Sequence, residues 1–384
     1  MQRGLNNAMR RSTTFAIGLL LYAVALPVPA ATITVINTND SGPGSLRQAL
    51  TNANNGDTIN FAVNGTITLT SGGLGVNKNV TISGPGADQL SIVGPSQFQS
   101  VFFVSAATIS GLTIRNGADG IDNFGGTLTV RNCVISDNAF SGISITTQEF
   151  GVVTATILST TVSGNSQGGV SSVPNIFSGG ATVTITDCTI SGNSSAPGGG
   201  GIFGTHTFLT VANSTISGNS TAGSGGGISV SGGLVIENST ISGNSGTSGG
   251  GIYNTSSLIV RNTILNAGAS GENIFNDGGT VTSLGYNLSS DDGGGYLTGP
   301  GDQINTDPLL GPLQNNGGPT FTHALLPGSP AINAGDPNFT PPPSYDQRGR
   351  FFRRVFTRRI DVGSFEAQPT LPPFPRPRPT HPPR

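Results

Sequence analysis

Leu209-Thr210-Val211-Ala212-Asn213-Ser214-Thr215-Ile216-Ser217-Gly218-Asn219 is one copy of a pattern that returns five or six times between residues 128 and 266. Each copy runs into a Gly-rich stretch and then a Gly-Ile pair such as Gly227-Ile228. Aligned on the residue before Ser-Gly-Asn, Ile135, Val162, Ile190, Ile216, Ile241 and Leu265 form one column. Val130, Ile157, Ile185, Val211, Ile236 and Val260 form a second. Ile121, Ile143, Val170, Ile202, Ile228, Ile252 and Ile274 form a third. A fourth holds Asn138, Asn165, Asn193, Asn219 and Asn244, separated by 27, 28, 26 and 25 residues. A period in this range marks a repeat architecture.

The segments between turns are short and β-branched, and they alternate apolar with polar, which is the pattern of strands with one buried face. No helical pattern separates them, so βαβ units are excluded. Three strands per repeat, joined by Asn and Gly turns, make one coil of a solenoid rising about 4.8 Å per coil. The fold expected is all-β: a right-handed, single-stranded parallel β-helix, its hand following the crossover rule for parallel strands. Asparagines recurring in every coil read as a structural stack, with their amides bonded up and down and their backbone left-handed at the bends.

The 384 residues include 59 Gly, no Trp and only 9% charged residues. Low charge and abundant Gly can accompany disorder, but the apolar columns supply a core. Residues 1–30 read as a secretory signal: Arg3, Arg10 and Arg11, an apolar centre from Phe15 to Leu26, then Val28-Pro29-Ala30. No other stretch is long and apolar enough to span a membrane. Residues 31–344 hold 5 basic and 16 acidic residues, whereas 345–384 hold 9 Arg and 3 acidic residues. An acidic body argues against nucleic acid as the partner. Cys133 and Cys188 share a column with Thr160 between them. Two coils span about 9.6 Å, beyond disulfide reach, so two free packed thiols are expected in a chain read as a monomer.

Residues 31–61 read as an N-terminal cap. Ser45 stands as the N-cap of a short helix, with Gln48 completing a capping box and Leu46, Ala49 and Leu50 on one face. Such a helix covers the open first coil, which otherwise exposes a pairing edge. The run Thr38-Asn39-Asp40-Ser41-Gly42-Pro43-Gly44-Ser45-Leu46-Arg47-Gln48-Ala49-Leu50, then Gly56-Asp57-Thr58-Ile59-Asn60-Phe61, resembles the start of CSLREA-type exported bacterial β-helix proteins. After residue 284 the repeat gives way to Asp307-Pro308-Leu309-Leu310, Asn315-Asn316-Gly317-Gly318-Pro319-Thr320, His323-Ala324-Leu325-Leu326-Pro327-Gly328-Ser329, Asp346-Gln347-Arg348-Gly349 and Asp361-Val362-Gly363-Ser364-Phe365-Glu366. This series resembles the choice-of-anchor Q domain, a C-terminal module of exported bacterial β-helix proteins. The resemblance implies a pectin-lyase-like solenoid over 31–284, a module over 285–368, and a place at the cell surface or outside the cell. Gly249-Gly250-Gly251-Ile252-Tyr253-Asn254 also resembles the short repeats of chlamydial polymorphic membrane proteins, which are surface adhesins. Residues 369–384 form a Pro- and Arg-rich tail.

Lyases and glycosidases on such folds need a carboxylate pair at acid-base spacing or acidic calcium ligands with a basic catalytic residue. Asp119 and Asp122 are the nearest thing to a pair and read as solvated turn residues, and no catalytic residue is assigned. Asp187 replaces a turn Asn. Asp291-Asp292-Gly293-Gly294-Gly295 with Asp302 is an acidic loop able to hold calcium, without EF-hand spacing; no other cofactor is indicated. Two long excursions, 144–154 and 171–182, interrupt adjacent coils and carry Glu149, Phe150 and Phe177, with His206 on the next coil. Insertions on one edge of a solenoid often form its binding face, so these four residues are the candidate binding site. Ice binding through the Thr189, Thr215 and Thr240 column needs a flat, wide Thr array, which the columns do not clearly give. The expected function is non-catalytic adhesion or carbohydrate binding to a polysaccharide or a host or envelope component. The alternatives are a polysaccharide lyase or hydrolase and a purely structural envelope spacer.

Overall fold

The computed structural model describes residues 29–146, 152–174, 179–196, 198–356 and 359–368. Glu149, Phe150 and Phe177 lie outside the described residues.

Ten coils stack into a parallel solenoid. A ten-stranded sheet takes one strand from each coil, an eighteen-stranded wide sheet takes most of the others, and Ser194–Ser195 and Ser220–Thr221 pair as a short third sheet. The columns read from the sequence are the observed register. Ile190 pairs with Val162 and Ile216, Val211 with Ile185 and Ile236, and Ile202 with Val170 and Ile228. All of these are buried in one continuous core. Removing each such side chain from water contributes about 1.5–3 kcal/mol.

The asparagine stack is a closed hydrogen-bond ladder. Asn138, Asn165, Asn193 and Asn219 each donate Nδ2–H to the Oδ1 of the next, at 2.9 Å in every step. The same Oδ1 accepts the backbone N–H of the preceding ladder residue at 2.9–3.1 Å. The second Nδ2–H of Asn193, Asn219 and Asn244 reaches a strand carbonyl at 2.9–3.0 Å. A buried amide must have its bonds made, and here they are made coil to coil.

The left-handed backbone falls elsewhere than expected. It sits one residue earlier, at Asp137, Gly164, Gly192, Gly218 and Gly243, and at the other bend in Asn132, Ser159, Asp187, Asn213, Asn238 and Asn262. Asn and Asp tolerate that conformation best among non-glycine residues. Asp187 therefore fills an Asn position, and it accepts Asn213 Nδ2–H at 2.6 Å. The Gly before each buried Ile has its own cause. A Cβ on Gly201 would stand 2.5 Å from the Gly227 carbonyl and 3.0 Å from Asn219 Nδ2.

The helix Leu46–Asn52 closes the first coil with Leu46, Ala49 and Leu50 buried. Ser45 Oγ accepts Gln48 N–H at 3.2 Å. The capping box is only half formed, because the Gln48 amide donates to Asn52 instead of returning to Ser45. Asp40 ties the cap down, accepting from Arg47 Nη2 at 2.6 Å and from the N–H groups of Thr70 and Ser71 at 3.2 and 2.9 Å. Asp57 binds the Ala31 and Asn54 N–H groups.

Residues 310–366 fold back over the outer face of the ten-stranded sheet as a clasp. It begins with an antiparallel hairpin, Leu310–Gln314 and Thr322–Leu325. The Thr189, Thr215 and Thr240 column lies beneath it, at most 1% exposed, so the open array needed for ice is not there. Thr189 Oγ1 donates to the Phe321 carbonyl at 2.5 Å. Thr215 Oγ1 meets Gln347 Oε1 at 2.6 Å and Ser364 Oγ at 2.9 Å. Thr240 Oγ1 accepts Ser364 N–H at 3.1 Å. Gly363 lets the clasp approach this closely, since a Cβ there would stand 2.8 Å from Thr240 Oγ1. Further along the column the residues become Ile264 and Leu288, which pack with Leu325, Ala331, Val362 and Phe365.

The clasp has its own buried centre. Arg348 pairs with Asp346 at 2.6 Å, both almost fully buried, and its guanidinium sits 3.7 Å from the ring centres of both Phe352 and Phe365. Arg354 is fully buried and donates to Asn238 Oδ1 and to the Gly363 carbonyl. Cys133 and Cys188 are buried free thiols on either side of Thr160, and burial pushes them up to about 11 and about 12.

Candidate functional site

With one outer face of the stack covered, the wide sheet carries the open one. In each coil the residue after the buried Gly-Ile position points outward. Strand pairing lines these residues into a stripe along the solenoid axis: Phe103, Asp122, Ser144, Ser171, Phe203, Ser229, Tyr253 and Phe275. Each is half-buried. Tyr253 and Phe275 stack with centroids 5.7 Å apart and planes 5° from parallel. The Tyr253 hydroxyl donates to Asp277 at 2.5 Å, and that bond pushes its pKa up. Gly198 lies against the Phe203 ring, where a Cβ would come within 3.0 Å. A groove of about 280 Å³ runs beside this ring, lined by Ser141, Gln167, Ser171, Ser195, Gly198 and Phe203.

Asp119 and Asp122 are not freely solvated turn residues. Asp119 staples the bend, accepting Ser141 N–H at 2.9 Å and Ser100 O–H at 3.3 Å. Burial pushes it up to about 6, and burial also raises Asp122. Asp119 thus stands against Ser141, which lines the groove, with its carboxyl held above the usual range.

The excursions carrying Glu149, Phe150 and Phe177 leave the strands Ile143–Thr146 and Val170–Val173, the strands that supply Ser144 and Ser171 to the stripe. His206 is exposed and left-handed, with φ 49°, where the register shifts between Thr205 and Thr207. Thr207 pairs with Ala181, so His206 stands level with Gly180 at the end of the second excursion. Phe103, Phe203 and Phe275 were not singled out from the sequence, although Phe203 follows a Gly-Ile pair and Phe275 follows Ile274 of the same apolar column.

The acidic loop is taken up by the chain itself. Asp291 Oδ1 accepts from Ser289, Gly293 and Asn273, and Asp302 from Asn287, Gly299 and Ser283. Burial raises Asp291, but these bonds outweigh it and leave the carboxyl below its usual range. Among the described residues no three His, Cys, Asp or Glu side chains gather as a metal site. A second groove, about 600 Å³, runs between the turn Ser83–Asp88, Arg131 and Pro319 of the clasp. It is lined by turn and strand-end residues and has no aromatic wall. Among the described residues no helix is long and apolar enough to cross a membrane.

A family model described as the right handed beta helix region matches residues 51–208. No curated protein matches the chain. Among solved structures, pectate lyase Pel9A superposes with a TM-score of 0.51 at 14% identity, covering 88% of this chain and 96% of that one. The stacked coils, their register and these two likenesses make the fold a right-handed parallel β-helix, the fold shared with that lyase.

Proposed function

We propose that this protein binds carbohydrate at a cell surface or outside the cell without cleaving it, and that the aromatic stripe of the wide sheet is its binding face. The observation that carries this reading is the alignment of Phe203 with the stacked Tyr253–Phe275 pair on the open face, beside a polar groove. Aromatic faces and convergent polar groups are what a sugar ring needs from a site. The candidate residues Glu149, Phe150, Phe177 and His206 belong to the same reading, because the two excursions leave the strands that supply Ser144 and Ser171 to the stripe. Export by removal of residues 1–30, and membership among CSLREA-type proteins with a choice-of-anchor Q module at 285–368, belong to the same proposal. In support, the motif residues Asp40, Ser45, Arg47 and Asp57 hold the N-terminal cap, and Gln347, Arg348, Gly363 and Ser364 hold the clasp.

The test is a glycan array run beside a reducing-sugar assay on the same polysaccharides. Binding without turnover, weakened about tenfold by Phe203→Ala as expected for a central aromatic anchor, is the expected result. No binding to any glycan overturns the proposal and leaves a structural spacer. A second reading, cleavage of a glycosidic bond, is favoured by Asp119, whose pKa of about 6 suits proton transfer near neutrality. It predicts turnover that Asp119→Asn abolishes.

A further inference from the structure

The charges along the stripe narrow the ligand class, on the condition that the carbohydrate-binding reading holds. Four carboxylates accompany the aromatics: Asp119 and Asp122 near one end, Glu272 and Asp277 near the other. The described cations before the clasp are placed away from it or committed to other partners. Arg47 is held by Asp40 and the Gly72 and Gly73 carbonyls, and Lys78 by the Thr51 carbonyl. Arg115 bonds Ser91 on the ten-stranded sheet. Arg131 and Arg261 end strands of the other strand column, where Arg261 pairs with Glu237. A polyuronate laid on this face would bring carboxylates against carboxylates with no described guanidinium or ammonium between them. Like charges brought together reject the wrong partner.

The stripe also has direction. Phe203 and Tyr253 are two coils apart, with Ser229 between them, which is about 9.6 Å at strand spacing. That is close to the length of two linked pyranose rings in an extended chain. Ser229 offers a hydroxyl between the platforms, and Ser144 and Ser171 continue the row on the other side of Phe203 toward Asp122.

We propose that the stripe binds an uncharged polysaccharide laid along the solenoid axis, stacked on Phe203 and on the Tyr253–Phe275 pair, with Asp122 and the intervening serines bonding its hydroxyls. This ligand class differs from pectate, the polymer for which the lyase sharing the fold is named. Burial that already raises the Asp119 and Asp122 carboxyls supports it, because a further negative charge would raise them again.

The experiment is affinity electrophoresis of the purified protein through gels containing an uncharged β-glucan, xylan or mannan, or else polygalacturonate or alginate. Each gel is run with EDTA and with calcium. Retardation is expected in at least one uncharged gel, insensitive to salt and EDTA, and in neither acidic gel. Phe203→Ala and Tyr253→Ala each reduce that retardation about tenfold, with folding checked by an unchanged denaturation midpoint. If one variant misfolds, the other carries the test. Asp122→Lys is expected to gain retardation by the acidic polymers. Stronger retardation by an acidic polymer, with or without calcium, overturns this inference and leaves carbohydrate binding standing. No retardation in any gel overturns both.

Discussion

The two outer faces of the coil stack are composed alike and differ in everything that follows. On the ten-stranded sheet, Thr161, Thr189, Thr215 and Thr240 stand in line. On the wide sheet, Thr108, Thr129, Thr156, Thr184 and Thr210 do the same. The first line disappears beneath the clasp from Thr189 onward, and the second stays half-exposed beside the aromatic stripe. Threonine suits a pleated surface wherever that surface is, so the residue type does not say which face meets water. A column on a solenoid becomes a binding surface only once the rest of the chain has been placed.

That contrast predicts separate consequences for the two faces. Arg348→Ala should have the largest effect. It leaves Asp346 buried without its partner, which costs about 3–5 kcal/mol, and it removes the cation between two rings. Denaturant unfolding measures this; a loss below about 1 kcal/mol, the usual scale of an exposed pair, would mean that the clasp only rests on the coils. Phe203→Ala on the open face should shift the midpoint far less while weakening glycan binding about tenfold.

Next comes pH. Burial, with Asp361 beside it, pushes the Glu366 carboxyl up from 4.5 to about 8. The folded chain keeps that proton where the unfolded chain has released it. Its stabilising contribution is complete below about pH 4.5 and is lost as pH rises toward 8. The N-terminal cap runs the other way. Burial raises Asp40, but bonds from Ser71, Arg47 and Thr70 outweigh it and hold the carboxyl well below the usual range. Its contribution is present above the ordinary carboxylate pKa and fades as pH falls below it. Hydrogen exchange should therefore show residues 310–366 opening first in alkali and residues 31–61 first in acid. Glu366→Gln should abolish the alkaline opening, and simultaneous opening of both regions at either extreme would contradict the assignment.

The smaller effects form a matched pair. Thr215→Val removes bonds to Gln347 and Ser364 at a buried site and should cost about 1–3 kcal/mol. Thr156→Val on the open face should change stability by no more than about 0.5 kcal/mol. Equal costs would mean that the two faces are not as different as the clasp makes them.

Much of the candidate site is legible in the sequence. Phe203 and Tyr253 each follow a Gly-Ile pair, and alternation places that slot outside. The long excursions are the more conspicuous feature of the chain, and of the four residues chosen there the structure describes His206, beside the stripe and not in it. Asp119, Asp291 and Asp302 look like free carboxylates in the sequence because many of the groups they bond, Ser141, Asn273 and Asn287 among them, lie 15 to 22 residues away.

The sequence by itself determined the coil, its three apolar columns, the asparagine ladder, the separation of the two thiols and the capping helix. Each rests on alternation, or on a repeat of 25 to 28 residues that brings equivalent positions into register. Only the tertiary structure decided which face is open. The contacts that close the other one join Thr189, Thr215, Ser217 and Thr240 to residues 106 to 158 positions later. A contact made once, across that distance, leaves no periodic trace in the chain.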